Sequence, residues 1–139
     1  MKISKRTGVM LSTAALVLGL GSAATTAQAA TGSASAAMAC STANATTPRT
    51  ASVDGIRIEL RYSTSSRCAW GRITGADPGD KVWVDRSGDG GGSWTGPLGM
   101  TTVQYGSDTH TPAYNDAGYV MRACAWNDST GNIRCTGWY

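Results

Sequence analysis

The sequence predicts an all-β fold, a small antiparallel β-sandwich or barrel stapled by two disulfides behind a disordered N-terminal tail. Three observations carry that expectation. Ile56-Arg57-Ile58-Glu59-Leu60-Arg61-Tyr62 alternates apolar and charged residues without a break, which is the period of a half-buried strand. Short β-prone runs then recur, separated by turn-rich stretches at 75–80, 87–93 and 106–116. Four cysteines, Cys40, Cys68, Cys124 and Cys135, are spread through a chain whose start reads as an export signal.

That start has a basic region (Lys2, Lys5, Arg6), an apolar stretch from Val9 to Leu20, and the small-residue pattern Ala27-Gln28-Ala29. Residues 1–29 are expected to be a signal peptide cut after Ala29, because the apolar stretch is too short to span a bilayer comfortably. Cys40 lies far beyond it, so a lipid anchor is not expected either. The localisation implied is secreted and extracellular, with no membrane anchor. The whole chain carries 12 Lys+Arg and 9 Asp+Glu. Losing the three leader bases leaves nine of each sign. Nucleic-acid binding needs a positive surplus along one face, so no nucleic-acid partner is expected.

The segment 30–39 follows: Ala30, Thr31, Gly32, Ser33, Ala34, Ser35, Ala36, Ala37, Met38 and Ala39. It is small, uncharged and aperiodic, and is expected to be a flexible tail. It is either an idle remnant of export or a segment that orders on a partner by strand addition or by filling a cleft.

Residues 40–139 are expected to form one disulfide-stapled β-domain. The Ser/Thr/Asn/Pro-rich run to Ser52 reads as loop with at most a short strand. The alternating strand puts Ile56, Ile58, Leu60 and Tyr62 on a buried face and Arg57, Glu59 and Arg61 outside. Further strands are expected at 67–73, 81–85, 100–105, 118–126 and 133–138, and the helical period is absent from this region. The last two strands read as a hairpin centred between Ser129 and Thr130, which sets Cys124 opposite Cys135. Cys40 and Cys68 then remain for each other, and two other connectivities stay open. The cysteines lack CxxC spacing and a nearby His, so no metal site is expected.

Candidate chemistry is sparse. His110 is the lone histidine, beside Ser107 and Asp108, without a nucleophile signature such as GxSxG. Glu59 is the lone Glu, expected on an exposed face, and no paired carboxylates of a glycosidase kind stand out. Asp85-Arg86-Ser87-Gly88-Asp89-Gly90 resembles the start of a calcium loop, but the twelfth position is Gly96 where a bidentate Glu is required. A Gly-rich hairpin loop accounts for it better. The expectation is therefore no catalytic residue, no metal and no cofactor. Phe is absent, so Trp70, Trp83 and Trp126, at strand positions, are assigned to the core. Trp94, Tyr114, Trp138 and Tyr139, near loops or the terminus, are candidates for a partner surface.

Ile58-Glu59-Leu60-Arg61-Tyr62-Ser63, then Arg67-Cys68-Ala69-Trp70-Gly71-Arg72-Ile73 and Asp77-Pro78-Gly79-Asp80, resemble the core of the YjfA-like small secreted proteins of actinobacteria and bacilli. The stretch before Cys68 is one Ser longer than the family pattern. The family's cysteine upstream of the strand supports the Cys40–Cys68 pairing. Secreted members of this kind in Streptomyces are similar to the UmbB-type adaptors of umbrella toxin particles. That resemblance implies a non-catalytic adaptor within a hetero-oligomer used in interbacterial antagonism. It would link an ALF-repeat toxin scaffold (UmbC-like) to a lectin-bearing protein with a degenerate trypsin-like domain (UmbA-like), and the N-terminal tail would enter the latter's cleft. Two other classes fit a compact secreted domain. A small protease inhibitor would use the tail or a loop at 94–100, and a carbohydrate- or cell-wall-binding module would use Trp94 and Trp138.

Overall fold

The computed structural model describes residues 39–139. The leader (1–29) and all but the last residue of the 30–39 segment lie outside the described residues. Nine strands are found: β1 (Ala45–Val53), β2 (Ile56–Ser63), β3 (Cys68–Thr74), β4 (Lys81–Ser87), β5 (Thr95–Thr102), β6 (Asp108–His110), β7 (Tyr114–Asn115), β8 (Val120–Trp126) and β9 (Ile133–Cys135). Among the described residues there is no helix, and so none long and apolar enough to cross a membrane.

The strands form two antiparallel sheets. One has the order β1-β2-β3-β6, with β7 also pairing β3, and the other has the order β5-β4-β8-β9. Ile56, Ile58, Leu60, Ala69 and Ile73 of the first sheet meet Val82, Val84, Met121, Ala123 and Ala125 of the second in one buried core. The β2 alternation holds on its apolar side, where Ile58 and Leu60 are fully buried and Tyr62 is packed at the rim. Gly71 sits where the two sheets approach closely. A Cβ there would lie 3.0 Å from Val82 Cγ2 and 3.3 Å from Ala123 Cβ.

Several expectations are corrected. The run before Ser52 is a nine-residue strand, β1, rather than a loop. Asp54 and Gly55, with φ of 49° and 91°, make the two-residue turn that joins it to β2, and Val53 pairs directly with Ile56. This is the geometry Asp-Gly favours between strands of native twist. Pro48 is accommodated because the β1–β2 register shifts between Thr46 and Arg49, as is usual for proline on a sheet edge. In the second sheet β5 runs from Thr95 to Thr102, five residues earlier than the expected 100–105. Residues 94–100 are therefore mostly edge strand and not a free loop. Gly96, Pro97 and Gly99 read as breakers, but this edge absorbs them at two register shifts. β6 and β7 lie within a stretch expected to be all turn.

Both disulfides are present as paired above. Cys40–Cys68 has its Cα atoms 5.6 Å apart, and Cys124–Cys135 joins directly opposed residues of β8 and β9 with Cα atoms 3.9 Å apart. No cysteine is free, which is consistent with an extracellular protein.

Candidate functional site

Val82 and Val84 of β4 face the core, so Lys81, Trp83, Asp85 and Ser87 point the other way. On β8 the same parity sends Arg122, Cys124 and Trp126 outward, opposite Met121, Ala123 and Ala125. Trp83 and Trp126 are thus on the outer face of the four-stranded sheet and only partly buried, not in the core as expected. With Lys81, Met100 and Ile133 they line a shallow apolar cavity of about 320 Å³. The Lys81 ammonium lies 3.8 Å from the Trp126 ring centroid, and its charge is held against the ring's electron-rich face. Met100 and Ile133 are half exposed.

Further along the same face, Arg122 Nε donates to Asp85 Oδ2 at 2.9 Å. The Asp85 side chain is only 5 % exposed. Its partner Arg122 is in turn flanked by indoles. The Arg122 guanidinium carbon lies 4.5 Å from the Trp94 ring centroid and 4.6 Å from that of Trp138, and the two indoles are 6.1 Å apart. Trp138 reaches this position because Thr136 and Tyr139 bond the backbone of Ala123 and Met121. The pairing along β8 therefore continues past β9 while Gly137 and Trp138 lie between its two anchor points. Gly91 (φ 106°) lets the loop after β4 pass beneath Trp138, where a Cβ would meet the indole nitrogen.

That loop is closed by its own side chains. Asp89 accepts from Ser87 Oγ, Ser93 N and Ser93 Oγ at 2.6 to 2.9 Å. These bonds, Ser87 first, hold its carboxyl below the ordinary carboxylate value. The carboxylates of the Asp85–Asp89 run are thus engaged by Arg122 and by the loop itself. Asp85, Cys124 and Cys135 cluster within 4.8 Å, but the two sulfurs are bonded to each other and supply neither thiolate nor S–H. The Cys124 sulfur 3.6 Å from Asp85 Oδ2 is accordingly a van der Waals neighbour and no donor.

The other sequence candidates are dispersed. Of the four proposed partner-surface aromatics, Trp94 and Trp138 come together. Tyr114 on β7 packs against the core. Tyr139 meets Tyr62 edge-on at 5.4 Å, with the Arg49 guanidinium 5.3 Å from its ring centroid. His110 shares a 2.9 Å hydrogen bond through Nδ1 with the Thr111 carbonyl, and no hydrogen bond among the described residues links it to Ser107 or Asp108. A depression of about 360 Å³ lined by Ser52, Asp54, Asn132 and Arg134 is larger than the tryptophan cavity. Its carboxylate, Asp54, is spent on Thr130 Oγ and Asn132 Nδ2, which also lower its pKa.

The outer face of the first sheet has a different chemistry. Glu59 is 8 % exposed, where a solvent-facing side chain was expected. Arg57 Nε donates to its Oε1 at 2.9 Å, and Arg61 and Arg72 stand 3.9 and 3.7 Å from its Oε2. Arg72 is brought in by the strand register, which pairs it with Glu59 across β2 and β3. Trp70 lies on this face too, opposite Arg61, and is 6 % exposed.

The sequence did hold a signal for the tryptophan face. Lys81 and Asp85 flank Trp83 at i±2, so Trp83 shares its parity with charged residues, and Arg122 does the same for Trp126. No curated protein and no solved structure matches the chain. Residues 28–124 match the family described as Protein of unknown function (DUF2690). With most of its length covered by that match, from residue 28 to Cys124 within β8, the chain belongs to the DUF2690 family.

Proposed function

We propose that the protein is a secreted, non-catalytic adaptor that grips one partner with the tryptophan face of its four-stranded sheet. The observation that carries this reading is the gathering of four of the five tryptophans, Trp83, Trp94, Trp126 and Trp138, on one outward surface of a rigid disulfide-closed domain. Large aromatics at the centre of a surface patch are what protein interfaces draw their affinity from. The resemblance to YjfA-like secreted proteins and UmbB-type adaptors supplies the identity of the partners. The tail at 30–39 enters the cleft of a lectin-bearing protein with a degenerate trypsin-like domain, and the β-domain docks on an ALF-repeat toxin scaffold.

The test is recovery from culture supernatant with tagged protein. Wild type should bring down a large repeat-containing protein and a lectin-bearing one. Trp83→Ala/Trp126→Ala should lose the repeat protein, and deletion of 30–39 should lose the lectin-bearing one. A wild-type chain that elutes alone at native concentration overturns the reading.

The row of outward indoles favours one second reading, a cell-wall glycan-binding module, since indole faces stack on sugar rings. Sedimentation with insoluble chitin or peptidoglycan that is abolished by Trp94→Ala/Trp138→Ala would establish it in place of the adaptor.

A further inference from the structure

We infer that the outer face of the first sheet is a second docking surface, and that it takes an acidic, extended segment of a protein partner. This goes beyond the tryptophan-face reading and rests on different residues. Three guanidinium groups, from Arg57, Arg61 and Arg72, surround the single buried carboxylate of Glu59. Glu59 Oε2 receives no hydrogen bond. It holds Arg61 and Arg72 by charge alone, at 3.9 and 3.7 Å. Arg61 spends one N–H of Nη1 on Thr47 Oγ1, whereas the N–H groups of Arg72 are not used up.

Arg72 is the clearest case. Its ion-pair partners among the described residues are Glu59 and, at 3.8 Å, Asp108, and it makes no side-chain hydrogen bond among them. Its side chain is 41 % exposed, so a guanidinium set between two carboxylates, hydrogen-bonded to neither, remains accessible from solvent. A guanidinium in that state matches a carboxylate in bidentate fashion. Arg57, exposed by more than half, lies four residues from Arg61 along β2, a span of about 13 Å. That length suits alternate side chains of an extended peptide better than one small anion. The β1 residues beside this row, Thr50 opposite Glu59 and Ser52 opposite Arg57, are uncharged, so β1 adds no acid to Glu59 and the three arginines keep a positive surplus on this face. Asp108 is the one acid at its margin, 62 % exposed, and competes with an incoming carboxylate for Arg72.

The probe is a fluorescein-labelled decapeptide with Glu at every second position, read by anisotropy against the full chain at low and high salt. Saturable binding is expected, weakening as salt rises through the range where the Debye length drops below about 10 Å. Arg61→Ala/Arg72→Ala should weaken it about tenfold, the order that charge-assisted bonds of this kind are worth. Asp108→Asn should strengthen it. Trp83→Ala/Trp126→Ala should leave it unchanged, so the two surfaces fail or stand separately. Absence of binding by wild type, equal binding by the double arginine variant, or equal or tighter binding of an oligonucleotide of the same charge overturns the inference. Thermal unfolding of each variant confirms that the fold is kept.

Discussion

Replacing Arg122 with Met keeps the side chain's length and apolar stem but strands Asp85. The carboxylate, 5 % exposed, loses its 2.9 Å partner, and no other cation contacts it among the described residues. Breaking a fully buried pair costs about 3–5 kcal/mol. Arg122 itself retains 21 % exposure, which places the loss at the lower end, about 3 kcal/mol. The two cation–π contacts with Trp94 and Trp138 add about 1 kcal/mol together at a partly exposed site. A loss of about 4 kcal/mol from a domain whose total stability is about 5–15 kcal/mol lowers Tm by roughly 15–30 °C. Asp85→Asn in the Arg122→Met background removes the stranded charge and should recover about half of the loss, since removing both charges is commonly near neutral. The assay is thermal unfolding followed by near-UV circular dichroism and tryptophan fluorescence. A single variant melting within about 3 °C of wild type, or a double variant no more stable than the single, would refute the claim that this ion pair is a buried, interdependent unit.

Other outcomes follow from the packing. Gly71→Ala inserts a methyl 3.0 Å from Val82 Cγ2 and should destabilise by about 1–3 kcal/mol, read as a lower urea midpoint; unchanged stability would mean the sheets separate freely there. Cys40→Ser/Cys68→Ser opens a loop with a sequence separation of 28 and should lose about 3–4 kcal/mol on the chain-entropy account, measurable by the same titration. Acid should destabilise the protein through Asp89 and Asp54, whose hydrogen bonds hold their folded values below 3.8. Their contribution is complete above 3.8 and is lost as pH falls through the lower folded values. Asp116, raised by burial, acts in the opposite sense between 3.8 and its own folded value. Asp89→Asn should flatten the fall in urea midpoint below about pH 4, and an unaltered slope would show that its bonds to Ser87 and Ser93 do not persist in solution.

Most of the architecture was legible because it rests on period-two burial. Ile56 through Tyr62 announced β2, and the hairpin spacing announced the Cys124–Cys135 bond. What escaped were edges and outer faces. β1 was hidden by Ser, Thr and Pro, residues an edge strand tolerates, although Asp54-Gly55 marked its end. β5 was hidden by Gly96, Pro97 and Gly99. Trp83 and Trp126 differ from their expected core positions because strand parity, and not side-chain type, sets which way they point, and an outward indole such as Trp126, capped by Lys81, is partly dry without being in the core. Glu59 was misplaced for a related reason. Alternation within β2 gives its direction, but the Arg72 that helps bury it comes from β3 and is fixed only by the register.

The prolines of β1 and β5 have a consequence for how the molecule behaves in a crowd. These are the long outer strands of their sheets, and each carries a proline near a slip in pairing. The opposite margins are closed by strands of only two or three residues. A rim without a long unbroken row of amide donors is a poor template for another strand. Concentrated protein should therefore resist fibrillar zippering, and association is directed to the broad flanks of the sandwich.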